Sequence, residues 1–189
     1  MAKRKKNTKS AKSQVWGVIF LGLGFFLFVS IASFSINDPV NLNVQDNPVK
    51  VQNLFGRLGA SVSYVLMQWT LGYPILFLPL LIIILSIGYI IQKPLKTAFK
   101  TGWVLTAWAA LFSVMLAMPE AISKMGHITE YYPSGLIGGF IASKMMIYLG
   151  KFGSLAFLFL ATAILLFLST PLELAGIFRK LSAALRNLK

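Results

Sequence analysis

Residues 57–93 read RLGASVSYVLMQWTLGYPILFLPLLIIILSIGYIIQK, and no Asp, Glu, Lys or Arg stands between Arg57 and Lys93. A helix crosses the hydrocarbon core of a bilayer in about 20 apolar residues. The stretch is therefore long for one span and short for two spans with a turn. Gly72-Tyr73-Pro74 divides it. Proline removes a backbone donor and clashes with the preceding turn, and the glycine beside it makes a bend easy. Residues 72–91 then read as a transmembrane helix. Residues 56–71 are a different object: on a helical projection Gly56, Gly59, Ala60 and Ser63 recur at i, i+3, i+4 and i+7 and share one face. Arg57, Ser61, Tyr64 and Gln68 form a polar strip beside it, and Leu58, Val62, Val65, Leu66 and Trp69 an apolar one. A short helix with a polar strip is expected to be interfacial or re-entrant. Its small face is a surface on which another helix can approach closely. The alternative is that it forms the first half of one long tilted helix.

Composition gives the solvent. A mean hydropathy of +0.74 and 57% hydrophobic residues over 189 residues indicate an integral membrane protein rather than a soluble domain. The 18 Lys and Arg outnumber the 5 Asp and Glu. In a soluble protein that excess would suggest nucleic acid; in a membrane protein it follows from cytoplasmic loops collecting Lys and Arg. There is no cysteine, hence no disulfide and no cysteine-ligated metal.

Outward from the central stretch, residues 1–14 form a basic tail with no acid, expected to be disordered, cytoplasmic and in contact with lipid headgroups through Lys3, Arg4, Lys5 and Lys6. Residues 15–36 are the first span, with Gly22 and Gly24 as a packing patch; a cleaved signal peptide is the alternative. Asp38-Pro39 and Asn47-Pro48 mark a polar loop that ends this span. Lys93, Lys96 and Lys100 lie in the next short loop and are further headgroup candidates. Residues 102–118 form the third span, ended by Pro119-Glu120. After a second polar loop, residues 135–150 repeat the earlier pattern: Gly135, Gly138, Gly139 and Ala142 fall at i, i+3, i+4 and i+7. Each copy is followed by a glycine, Gly72 or Gly153, and then a span, the last being residues 152–172. Residues 173–189, with Arg179 and Lys180 toward headgroups, form an amphipathic juxtamembrane helix or the start of a linker, which suggests that the chain is the head of something longer.

The fold expected is all-α and membrane-integral: four transmembrane helices in two parallel halves of span, outer helix, span. Lys and Arg concentrate in residues 1–14, 93–100 and 173–189. Asp38, Asp46, Glu120 and Glu130 fall in the other loops, with Lys50, Arg57, Lys124, Lys144 and Lys151 scattered on the same side. Both termini are therefore expected in the cytoplasm. Membrane enzymes and transporters carry buried ionisable groups, and these four spans hold none. Lys144 is expected to snorkel, or to pair with Glu130. His127 stands alone, and Gly150-Lys151 lacks the glycine and the Ser or Thr of a phosphate loop. No catalytic, cofactor or metal residue emerges.

These marks resemble the N-terminal four-helix membrane domain of the FtsK/SpoIIIE DNA translocases. The likeness rests on Ser33-Phe34 and Asp38-Pro39 after the first span, then Asn53, Gly56 and Gly59-Ala60. Gly72 and Pro79 open the second span, and Gly135, Gly138 and Gly139 precede the fourth. It covers residues 15–172; the distance from Ala60 to Gly72 is one residue longer than usual. The resemblance implies a bacterial inner-membrane anchor at the division septum. It would form a homo-oligomer, a hexamer by likeness, and contact membrane lipids and other division proteins. ATP, Mg and DNA would be handled by a motor domain outside these residues, so this chain is expected not to be an enzyme. Competing readings are a channel or transporter subunit and a stand-alone membrane assembly factor.

Overall fold

Gly72 lies at φ 66° and ψ −141°, a region that side chains disfavour, and there the chain changes element. Before it is α2, Gly56–Trp69; after it a 3₁₀ turn, Tyr73–Leu76, runs into α3, Phe77–Ile90. The computed structural model describes residues 2–39, 50–92, 96–129 and 131–170, and the side chains of residues 14–39, 50–92, 101–129 and 131–170. The other elements are α1, Ala2–Ala32; α4, Lys96–Ser123; and α5, Gly135–Ser169. Four stretches are long and apolar enough to cross a membrane: Gln14–Ala32, Tyr73–Ile90, Thr101–Ser123 and Gly135–Ser169. The chain is an all-α, multi-pass membrane protein.

The backbone shows the repeat. Gly56 and Gly135 open α2 and α5 at φ 62° and 74°, and Gly150 breaks α5 at φ 66° and ψ −178°, a conformation almost confined to glycine. α5 is thus an outer limb, residues 135–149, followed by a spanning limb, residues 151–169. Set against the first half, α4 answers α1, the outer limb answers α2, and the spanning limb answers α3. α1 packs chiefly on α3 and α4 chiefly on α5, while α2 joins α1 and touches α5. Ile31, Met67 and Ile75 form one buried cluster, and Val114, Ala117, Met118, Ala121, Ala142 and Leu158 form the other. Lipid tails are as apolar as leucine, so close van der Waals packing holds these helices together. Gly17 and Gly24 supply it in the first half: a Cβ on either would run into Ile90 or Ile83 of α3, at 2.7 and 2.8 Å.

Several boundaries differ from the sequence expectation. The second break is at Gly150, not Gly153, because the φ of Gly150 is the one a side chain would oppose. Gly24 packs with Gly17 rather than with Gly22, which is exposed and has nothing near it. α4 runs through Pro119 to Ser123. Proline lacks the N–H that would bond the Met115 carbonyl, but only one turn follows, and fully buried Ala121 holds it against the second core. The basic segment expected to be disordered is helical from Ala2, since Ala, Lys and Arg are good helix formers and can extend a helix already nucleated by the span. The proposed helix over residues 173–189, with Arg179 and Lys180, lies outside the described residues, as does Lys93.

Candidate functional site at the capped end of the helices

One end of the bundle collects the loop after α1, the start of α2, the turn at Gly72 and the loop before α5. Asn53 organises its first half. The sequence Asn53-Leu54-Phe55-Gly56 makes a turn in which the Asn53 carbonyl accepts the Gly56 N–H at 2.9 Å, and the side-chain oxygen accepts the Phe55 N–H at 3.1 Å. Asparagine commonly mimics a backbone turn this way. Its Nδ2 then donates to the carbonyl of Ser30 at 2.7 Å, and more weakly to the Ser33 carbonyl and the Ser63 hydroxyl, each at 3.4 Å. One carboxamide therefore joins the end of α1 to the side of α2. Asp38 completes the arrangement: its carboxylate accepts the backbone N–H groups of Gln52 at 2.7 Å and Asn53 at 3.0 Å. Ser33 accepts the Leu54 N–H at 3.1 Å and donates to the Val29 carbonyl at 2.7 Å. Asp38 and Asn53 are buried. A buried polar group without a partner is costly, so these bonds fix the loop in place.

The small face of α2 sits against this knot. Gly59, Ala60 and Ser63 are buried, whereas Gly56 is half-buried with nothing beside it. A Cβ on Gly59 would collide with Asn53 Oδ1. The second half uses different chemistry for the same closure. Gly135, Gly138, Gly139 and Ala142 are all buried. A Cβ on Gly138 would strike the backbone of Ser113, whose hydroxyl donates to the Ser134 carbonyl at 2.7 Å, and one on Gly139 would meet the ring of Tyr131.

The two halves meet backbone to backbone. Tyr73 N–H donates to the Pro133 carbonyl at 3.1 Å and Ile137 N–H to the Thr70 carbonyl at 3.0 Å. Gly72 and Gly135 lie so close that neither could carry a Cβ without meeting the other's segment. Tyr73 and Tyr132 share a hydroxyl–hydroxyl bond of 2.6 Å, and the Tyr132 ring also packs on Phe34, with centroids 6.0 Å apart. The bond to Tyr73, burial and the charge Tyr73 could carry, in that order, push the Tyr132 phenol up to about 12. Ser33, Phe34, Asp38, Asn53 and Gly72 thus converge at this end. Pro39 is half-buried beside Asp38, and Pro79 is fully buried in the first turn of α3, where its missing N–H costs nothing. The Tyr73–Tyr132 pair and the Ser113–Ser134 bond were not anticipated, and only a tyrosine beside each of the Gly72 and Pro133 turns hints at the first.

Elsewhere, Tyr64 and Gln68 of the polar strip, with Trp69, Tyr131 and Leu136, line a cavity of about 210 Å³. That strip is half-buried rather than free in water. Lys144 is exposed, with its ammonium 5.5 Å from the centre of the Phe140 ring; Glu130, its alternative partner, lies outside the described residues. Lys3, Arg4, Lys5 and Lys6 stand on the first turns of α1, and Lys96 and Lys100 on the first turns of α4. Among the described residues, no three His, Cys, Asp or Glu side chains come together as a metal site requires. The side chains of Ser33, Asp38, Asn53 and Ser113 bond the chain's own backbone, and Tyr73 and Tyr132 bond each other, so what the arrangement does is hold two helical hairpins in one register.

Neither a curated protein nor a solved structure matches the chain. Residues 9–182 match the family described as the 4TM region of DNA translocase FtsK/SpoIIIE. That match runs from the basic turns of α1 through both halves and the junction between them, so the chain belongs to the FtsK/SpoIIIE family and is its four-transmembrane region.

Proposed function

We propose that this chain anchors a DNA translocase in the bacterial inner membrane at the division septum, with both termini in the cytoplasm and the capped end outside. In this reading it assembles as a homo-oligomer, a hexamer by family likeness, and contacts membrane lipids and other division proteins. ATP, Mg and DNA are assigned to a motor domain rather than to this membrane region, which itself catalyses nothing. The observation that carries the reading is the family match across residues 9–182. The central apolar stretches of the spans, residues 15–32, 73–90, 102–118 and 152–169, hold no charged residue, and this supports an anchor over a transport pathway, as do the basic segments at one end of α1 and α4. A fluorescent protein fused after Lys189 tests it. The fusion should collect at mid-cell in dividing bacteria and sediment as a multiple of its monomer mass. A uniform signal around the cell perimeter, or a monomer in mild detergent, would remove the septal or the assembly part respectively.

A further inference from the structure

After the break at Gly150 the helix of α5 resumes, and a turn of 100° per residue places Lys151, Leu155, Leu158 and Thr162 on one stripe, with Phe159 beside it. Leu155, Leu158, Phe159 and Thr162 form one wall of a groove, and Met115, Met118, Pro119 and Ile122 of α4 form the other. Its volume is about 560 Å³, within the range of ordinary ligand pockets. No lining residue is ionisable. The one hydroxyl, on Thr162, donates to the Leu158 carbonyl at 2.7 Å and so is already used. In the first half Gly17 and Gly24 instead draw α1 closely onto Ile90 and Ile83 of α3.

Charge marks one end of the groove. Lys151 is exposed at the start of the stripe, one turn beyond Leu155, and Phe152 beside it is 85% exposed. α5 carries no acid anywhere along Gly135–Ser169. At the same end of α4, Glu120 is already paired with Lys124 at 2.8 Å. An apolar slot within the membrane-spanning region, with an exposed ammonium at its mouth, matches a molecule with a hydrocarbon chain and an anionic head. Lysine reaches such a head by laying its stem along apolar surface.

We propose that the groove between α4 and the spanning limb of α5 binds one anionic phospholipid, its acyl chain against Met115, Met118 and Phe159 and its phosphate at Lys151. Native mass spectrometry of the full chain, released from detergent with added phosphatidylglycerol or phosphatidylcholine, tests this. The wild type should retain one phosphatidylglycerol in preference to phosphatidylcholine. Lys151→Gln should lower that preference about fivefold, the order of one basic residue's attraction to an anionic surface. Lys144→Gln removes the same charge away from the groove and should leave the preference intact. Thr162→Trp should obstruct the slot and reduce retention of both lipids. An unchanged preference in Lys151→Gln overturns the proposal, and because Lys151 is exposed, this arm decides even if Thr162→Trp fails to fold. Equal losses from Lys144→Gln and Lys151→Gln would mean diffuse electrostatics and overturn it too. So would crosslinking of cysteines at Phe159 between two copies, which would assign the groove to a second chain.

Discussion

Asn53 closes a turn with one atom of its carboxamide and docks α1 with the other. Removing that carboxamide leaves the Ser30 carbonyl and the Phe55 N–H short of a partner at a site largely shielded from water. An unmade bond of this kind costs about 1–3 kcal/mol. Asn53→Ala should therefore lower stability in detergent by that order. Asp38→Ala, which strands two backbone N–H groups, should do at least as much, while Lys50→Ala at an exposed position should do nothing measurable. Denaturant titration followed by circular dichroism gives the comparison, and equal stabilities for all three variants would show that the knot is incidental. Tyr132 adds a pH dependence. Its folded pKa, about 12, lies above the ordinary phenol value of 10.0, so the fold favours the protonated ring. The stability it supplies is whole below pH 10 and drains away as the pH climbs to about 12. Tyr132→Phe should flatten stability against pH across that window; a variant whose curve superimposes on the wild type would exclude the linkage.

At the scale of elements, the glycines separate into those that need their φ and those that need their emptiness. Gly150 has nothing within 4 Å of a would-be Cβ, so Gly150→Ala meets only the backbone penalty of its φ and ψ, about 1–3 kcal/mol. Gly59→Leu and Gly138→Leu instead drive a side chain into Asn53 and into the backbone of Ser113, and should prevent the halves from closing. Gly22→Leu is the matched control in open space, and Gln68→Ala should be tolerated. A thermal ranking in which Gly22→Leu equals Gly138→Leu would refute packing as the role of these faces. The small face was legible because Gly56, Gly59, Ala60 and Ser63 keep helical spacing, and α2 begins and ends within two residues of the expected limits. The expected limits, 135–150 and 152–172, bracket the second break, but Gly150 itself was not legible as its glycine, since a break beside Lys151 has no proline to announce it, unlike Gly72 beside Pro74. Pro119 misled in the other direction: its cost is local, and the burial of Ala121 beyond it could not be read from spacing. The knot was half legible. Ser33, Asp38 and Asn53 were singled out by resemblance, but the bonds that join them span 15 and 20 residues and belong to the tertiary fold.

For the whole molecule, the contacts at the capped end fix which loops share a side. Phe34 and Tyr73 both touch Tyr132, and the Pro133 carbonyl bonds the Tyr73 N–H, so the segments after α1, before α3 and before α5 form one unit. Whatever side one loop occupies, all three occupy it. The helix ends remote from that unit carry the run Lys3 to Lys6 and then Lys96 and Lys100, whereas Asp38 and Glu120 lie toward it. Translocating clustered Lys and Arg is disfavoured, and this is the ground for the proposed orientation, with the basic ends in the cytoplasm and the capped end out. Leu54 and Met125 are each 77% exposed at the capped end, one in each half. Cysteines at these positions should react with a membrane-impermeant maleimide on intact spheroplasts. A cysteine at Thr97 should react only after lysis. Two failures would carry different meanings. Labelling of Thr97 alone would reverse the orientation but leave the fold standing, since Leu54 and Met125 would still agree with each other. Labelling of Leu54 without Met125, or the converse, with both reactive after lysis, would separate loops that the Tyr73–Tyr132 junction holds together, and the parallel arrangement of the two halves would be wrong.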